Sequence, residues 1–144
     1  MASEFELRCP ITADLGLIRD LVRLHGRCCG LPERRLDDLV LATNEAVTNV
    51  LDHGGASGVL TARGLADGVM VQVLDVAGLL TGGHLAAAAL DRTASRGYGL
   101  WVIRHLCDAV TVEQTGAGSL LSMWVCHAPE RPAGDGSRRQ RIGG

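Results

Sequence analysis

The chain has 144 residues, 47% of them hydrophobic, enough for one core and too few for two of ordinary size. With one Phe, one Tyr and two Trp, that core must be built from Leu, Val and Ala, and no aromatic surface for stacking nucleobases is available. The net charge is -2, divided into ten Arg against fourteen acids up to Pro129 and four Arg against two acids from Glu130 on. The mildly acidic body gives direct nucleic-acid binding no electrostatic support, and the absence of Lys excludes a phosphate-loop lysine and Schiff-base chemistry.

Five cysteines (Cys9, Cys28, Cys29, Cys107, Cys126) form an odd set without C-x-x-C spacing, and no charged N-terminal segment leads into an apolar run. Reduced thiols in a cytoplasm are expected. His25 before Cys28 reads as half a metal site without a second pair of ligands, so structural thiols are the better reading. No apolar stretch is long enough to span a bilayer.

In chain order, Phe5 to Cys9 alternates as a first strand. Asp14 to Cys29 carries Leu15, Ile18, Leu21 and Val22 at helical spacing. Gly30 closes that helix, and Pro32 opens a second one running to about His53, where Gly54-Gly55 ends it. Strands follow at Gly58 to Gly64 and Val69 to Asp75, turning at Ala66-Asp67-Gly68. From Val76 to Arg96 the pattern dissolves into small residues with one Ala-rich piece, Leu85 to Leu90, and loops of this length are usually functional or disordered. A helix from about Leu100 to Cys107 precedes strands at Ala109 to Gln114 and Ser119 to His127, joined by Gly116-Ala117-Gly118. The domain is expected over residues 1–128, with a disordered Arg/Gly/Pro-rich tail over 129–144. This order does not alternate as a doubly wound sheet would. It predicts an α+β fold, a two-layer sandwich with helices on one face of a mixed, mainly antiparallel sheet.

On the second helix, Leu36, Leu39, Val40, Thr43, Val47, Val50 and Leu51 gather into one apolar stripe at ~100° per residue. Glu45, Asn49 and His53 stand four apart on another side, among Leu41, Ala42 and Ala46. Either they decorate a surface helix, or they line a partly enclosed polar pocket. Asn44 and Asn49 both sit mid-helix, where propensity opposes them, and a local rule broken without structural gain often marks a site. An amide oxygen suits a hard cation such as Mg2+, and a carboxylate one turn away can take a proton from a hydroxyl.

Alternation places Asp75 on the face of Val69, Val71 and Val73. There it is either a turn former or an acceptor for an exocyclic amine. Arg96-Gly97-Tyr98-Gly99-Leu100 runs from the loop into a helix, either as an ordinary flexible turn or as an anion site in which glycines let free amides approach a phosphate beside Arg96.

The series Glu45-x-x-x-Asn49-x-x-x-His53-Gly54, a strand ending in Asp75, a lid, and Gly97-x-Gly99-Leu100 resembles the GHKL ATPase superfamily with its Bergerat fold. It is most similar to the stand-alone anti-sigma-factor serine/threonine kinases of bacteria, whose helix the stretch Leu39 to Asn49 matches. The resemblance spans about Phe5 to Val125. It implies ATP and Mg2+ as ligands. Glu45 would be the general base and Asn49 the Mg2+ ligand, with His53 next along the helix. Asp75 would bind the adenine amine, Gly78 would leave room for the ring, and Ser119 stands where relatives often carry Thr. Gly97 and Gly99 would offer amides to the phosphates within the segment that includes Tyr98 and Leu100, and Arg96 would reach the γ-phosphate. Relatives usually show Asp-x-Gly, whereas here Asp75-Val76-Ala77-Gly78 puts a methyl group where positive φ is wanted.

Sensor histidine kinases need an upstream phosphoacceptor, and topoisomerase relatives a downstream domain, so the self-contained branch is the expected one. The resemblance then implies a regulatory kinase that phosphorylates an anti-anti-sigma-type antagonist protein and binds a sigma factor or similar regulator, with a homodimer common in the family. The alternative is a non-catalytic module that sequesters a partner with weak or no nucleotide binding.

Overall fold

The computed structural model describes residues 6–52, 57–76, 78 and 95–128. Among them, β1 (Glu6–Pro10) leads to α1 (Leu15–Cys28), α2 (Glu33–Asp52), β2 (Gly58–Leu65), β3 (Gly68–Asp75), α3 (Ser95–Leu106), β4 (Ala109–Thr115) and β5 (Gly118–Cys126). The five strands form one sheet in the order β1-β2-β3-β5-β4, every neighbouring pair antiparallel. The last strand is thus inserted between β3 and β4.

Local chemistry sets the helix boundaries. Asp14 caps α1 by accepting the Leu17 N–H at 3.0 Å, and Gly30 at φ 94° lets the chain leave it. The carbonyl of Pro32 accepts the N–H of Leu36 at 2.9 Å, which starts α2 after a residue whose missing amide proton costs nothing there. Along α2 the buried residues are Arg35, Leu36, Leu39, Val40, Ala42, Thr43, Ala46, Val47 and Val50. The stripe is therefore wider than the expected one, and Leu51 falls at its half-buried margin. Leu41 was expected beside the enclosed polar residues but is 47% exposed, because it points away from the sheet on the far side of the helix from Ala46.

The three helices cover one face of the sheet, giving the expected two-layer α+β sandwich. From that face Leu60, Ala62, Val69, Val71, Val73, Leu121, Met123 and Val125 meet Ile18, Val22, Leu36, Leu39, Val47, Leu100 and Ile103 in one core. At one end of this interface a buried Arg35 reaches across the layers. Its Nε donates to the Cys126 carbonyl at 3.1 Å, its Nη1 to Asp38 at 2.6 Å, and its Nη2 to Asp108, which also accepts the Cys126 N–H at 2.8 Å. The guanidinium thereby ties the start of α2 to the α3–β4 junction and the end of β5. Beside it, burial and then the Asp108 carboxylate push the Cys107 thiol up to about 12. All five cysteines are free thiols.

Candidate functional site

At the opposite end, the helix-facing side of the sheet changes character. Asp75 on β3 pairs in register with Ser119 on β5, which pairs with Gln114 on β4. One row inward the corresponding residues are Val73, Leu121 and Val112. A polar row therefore ends an otherwise apolar surface. Asp75 is 5% exposed and Ser119 only 1%, so the carboxylate faces the layer interface as the strand alternation requires. Gln114 Nε2 donates to Ser119 Oγ at 2.9 Å.

A pocket opens above this row, lined by Ala46, Asn49 and Val50 of α2 and by Val73, Asp75, Ser119 and Leu121 of the sheet. Apolar walls with a few convergent polar groups suit a flat heteroaromatic ligand that carries an amine. The floor depends on Gly118. It adopts φ 140°, and a Cβ there would lie 2.2 Å from the Asp75 carbonyl oxygen, so only glycine lets β5 start this close to the end of β3. The chain leaves β3 through a turn in which the Gly78 N–H donates to the Asp75 carbonyl at 2.9 Å, with Gly78 at φ 69°.

Glu45 and Asn49 are half-buried on the side of α2 that meets α3. A Cβ on Gly99 would come within 3.0 Å of Glu45 Oε1 and 3.5 Å of Asn49 Oδ1. The missing side chain thus leaves a small cradle between the helix start and the acid–amide pair. Asn49 belongs to both this cradle and the pocket, so the two form one continuous site. Asn44, the other mid-helix asparagine, has a structural use: its Oδ1 accepts from Arg19 Nη1 at 2.9 Å across α1 and α2.

The structure thus brings together Glu45, Asn49, Asp75, Ser119, Gly78 and Gly99. Leu100 is buried in the core at 3% exposure, so its side chain supports the cradle from behind. The glycine pair lies inside α3, which begins at Ser95 rather than near Leu100. The first turn of a helix, which includes Gly97, leaves its amide protons without partners inside the helix, whereas Gly99 is the fifth residue of α3 and its amide belongs to the intrahelical ladder. The side chains of Arg96, Gly97 and Tyr98 lie outside the described residues, as do His53, Ala77 and the tail. Gln114 was missed from sequence. It lies on the same face of β4 as Val110 and Val112 but is exposed, and its pairing with Ser119 depends on a register that only the folded sheet fixes.

A two-layer sandwich with an acid-ended central strand, an acid–amide helix and a glycine-rich helix start defines the ATPase fold shared with histidine kinases. The profile of the histidine kinase-like ATPase domain matches residues 11–125, and the chain belongs to that family. No curated protein matches it in sequence. Among solved structures it is similar to a chain in the crystal structure of the SiaB–SiaC complex from Pseudomonas aeruginosa, with 17% identity, a TM-score of 0.58, and coverage of 85% of this chain and 88% of that one. Among the described residues no helix is long and apolar enough to cross a membrane, and no group of three or more His, Cys, Asp or Glu side chains could hold a metal by itself.

Proposed function

We propose that the chain is an ATP-binding regulatory serine/threonine kinase of the anti-sigma-factor type, acting in the cytoplasm on a small antagonist protein and binding a sigma factor or similar regulator. One observation carries the nucleotide part: a buried carboxylate, Asp75, ends an apolar pocket whose opposite wall carries Asn49, one turn from Glu45 and next to the Gly99 cradle. That donor set fits Mg2+ and ATP. Asp75 would accept the exocyclic amine of the base while Val50, Val73 and Leu121 exclude water from its faces. The Asn49 amide oxygen would hold the cation, a hard ion that needs oxygen ligands and keeps several waters. The amide of Gly97, in the first turn of α3, and the side chain of Arg96 would meet the phosphates, while Gly99 leaves room beside Glu45 and Asn49. His53 and Tyr98 complete the set that the family resemblance assigns to the ligand.

When bound, Mg-ATP supplies the transferable phosphoryl group and the cation that neutralises its charge. The protein contributes position and a base. Glu45 would accept the proton of an incoming serine or threonine hydroxyl, which requires that hydroxyl within hydrogen-bond reach of its carboxylate. The partner half of the reading is supported by the fold similarity to a chain crystallised in a two-protein complex. A homodimer belongs to the same reading, with the sheet face opposite the described helices, which bears the half-buried Leu74, Leu120 and Trp124, as its place.

Labelled ATP and a cognate antagonist test the kinase. Transfer is expected with the wild-type chain and lost in Glu45→Ala, while both proteins keep an Mg-ATP-dependent rise in melting midpoint. Absence of transfer moves the chain to a second reading, a binding module that sequesters its partner with weak or no nucleotide binding, and an unchanged melting midpoint with Mg-ATP supports the module without nucleotide. The sequence feature favouring that module is Ala77, where relatives usually carry glycine.

A further inference from the structure

The edge of the sheet at β1 lies away from the pocket, and it carries two features that neither the core nor the proposed function uses. We infer that α1 and β1 together form a contact between two copies of this chain, related by a twofold axis perpendicular to the sheet. The contact is independent of nucleotide binding. It also differs from the sheet face named above, whose twofold axis would lie parallel to the sheet.

The first feature is a stripe on α1. At ~100° per residue the helix presents separate sides. One buries Ile18, Val22, His25 and Gly26 in the core, and a second turns Arg19, Arg23 and Arg27 toward Asn44, Asp37 and Glu33 of α2. Leu17, Leu21, Leu24 and Cys28 occupy a third side, away from α2, with Leu17 52% and Leu24 56% exposed. A single exposed leucine means little, but apolar positions spaced four, three and four apart make the seam on which two helices pack. Laid antiparallel on a second copy, Leu21 meets Leu24 and Leu17 meets Cys28. The same alignment brings Asp20, on the solvent rim of the stripe, toward Arg27 of the second copy.

The second feature is the open side of β1, which ends the sheet and among the described residues is bonded only to β2. The Ile11 N–H donates to the Gly58 carbonyl at 3.0 Å, so alternation turns the backbone groups of Glu6, Arg8 and Pro10 to the open side. Pro10 has no amide proton to offer and stops pairing at that end. Leu7 and Cys9 face the helices and pack on the core. A second β1, antiparallel with Leu7 opposite Leu7, sets Glu6 opposite Arg8 on both sides of the axis and uses the backbone groups of both residues. Centring on Arg8 instead would set like charges opposite each other.

One axis satisfies both features, which is what a self-complementary interface requires. α1 rests across β1 and β2, about half a strand spacing inside β1, and the axis passes half a spacing outside it, so the two α1 axes lie about 10 Å apart, the distance at which helices pack. Leu7 is about 10 Å back from Pro10 along the strand, and the middle of the stripe is about 11 Å beyond Leu15 along the returning helix. The two contacts are therefore centred at the same level. The pocket, lined by α2, β3 and β5, lies outside them.

Sedimentation equilibrium of the full chain tests the contact. A dimer is expected for wild type. Leu17→Glu/Leu24→Glu, which alters two exposed side chains, should weaken it at least tenfold while circular dichroism shows the fold retained, and Trp124→Glu on the sheet face should leave it intact. The register has its own readout. Under diamide, Leu17→Cys should form a disulfide-linked dimer through Cys28 of the second copy, and Leu17→Cys/Cys28→Ser should not. This cross-link carries the test if the double glutamate variant unfolds. A monomeric wild type, an absent cross-link, or a dimer that Trp124→Glu disperses and the α1 variant does not, overturns the inference. Phosphoryl transfer and Mg-ATP binding are read separately, and their failure leaves the contact standing.

Discussion

The two ends of the helix–sheet interface handle buried charge in opposite ways. Where β5 finishes, Arg35 meets Asp38, Asp108 and the Cys126 carbonyl, so that one guanidinium is shared between two carboxylates inside the protein. Where β5 begins, Asp75 is equally buried but stands at the rim of a pocket that it lines together with Ser119, Asn49 and apolar side chains. One end spends its polar groups on locking the two layers together. The other places its carboxylate beside a pocket. Stability and binding are therefore separable in this chain, since they rest on opposite ends of β5.

Substitutions at the two ends can break that separation or sharpen it. Arg35→Ala leaves two carboxylates without their cation and should cost about 3–5 kcal/mol in urea unfolding, with the Mg-ATP-induced stabilisation of the surviving folded fraction unchanged. Asp75→Asn should do the reverse. It removes the ligand-induced stabilisation, about 2.7 kcal/mol for wild type at a hundredfold its dissociation constant, while the unliganded chain stays folded in the same titration. Gly118→Ala joins the two effects, because the new Cβ meets the Asp75 carbonyl. Calorimetry should record a stability loss of about 1–3 kcal/mol together with weaker nucleotide binding.

The pinned end also has a signature in pH. Burial raises the Cys107 thiol from its ordinary 9.0 to about 12, so below pH 9 folded and unfolded chains both hold the proton and stability does not depend on it. Above pH 9 the unfolded chain releases that proton first, so stability should fall progressively up to about pH 12. Cys107→Ala should flatten this decline without abolishing it, because the burial of Cys9 and Cys29 raises their thiols as well. Smallest of all, Arg23→Ala removes an exposed pair with Asp37 at 3.1 Å and should change stability by less than about 1 kcal/mol.

What could be read from the sequence follows the same division. Helical and strand periodicity located α2, put Asp75 on the valine face and set Glu45 and Asn49 on one side, because each of these depends on residues a few positions apart. The Arg35 network was not legible, since its partners lie 73 and 91 positions away along the chain. Nor was the placement of Leu41, because helical spacing says which residues share a side and not what covers that side. Gln114 shows the same limit from the other direction: a plain polar residue ending a strand gains meaning only from the two strands aligned beside it. Asn44 and Asn49 looked alike in sequence, and only the position of α1 distinguishes the one that braces a helix pair from the one that lines a pocket.

The insertion of β5 between β3 and β4 has a consequence for synthesis. As the polypeptide emerges from the ribosome, β2 and β3 can form their hairpin early, with Asp75 beside Gly58, yet Asp75 gains Ser119 only when the segment that carries β5 has been made. A nascent chain therefore cannot use nucleotide to guide its own folding. The binding competence of the molecule arrives in one late step, with the strand that completes the sheet from the middle.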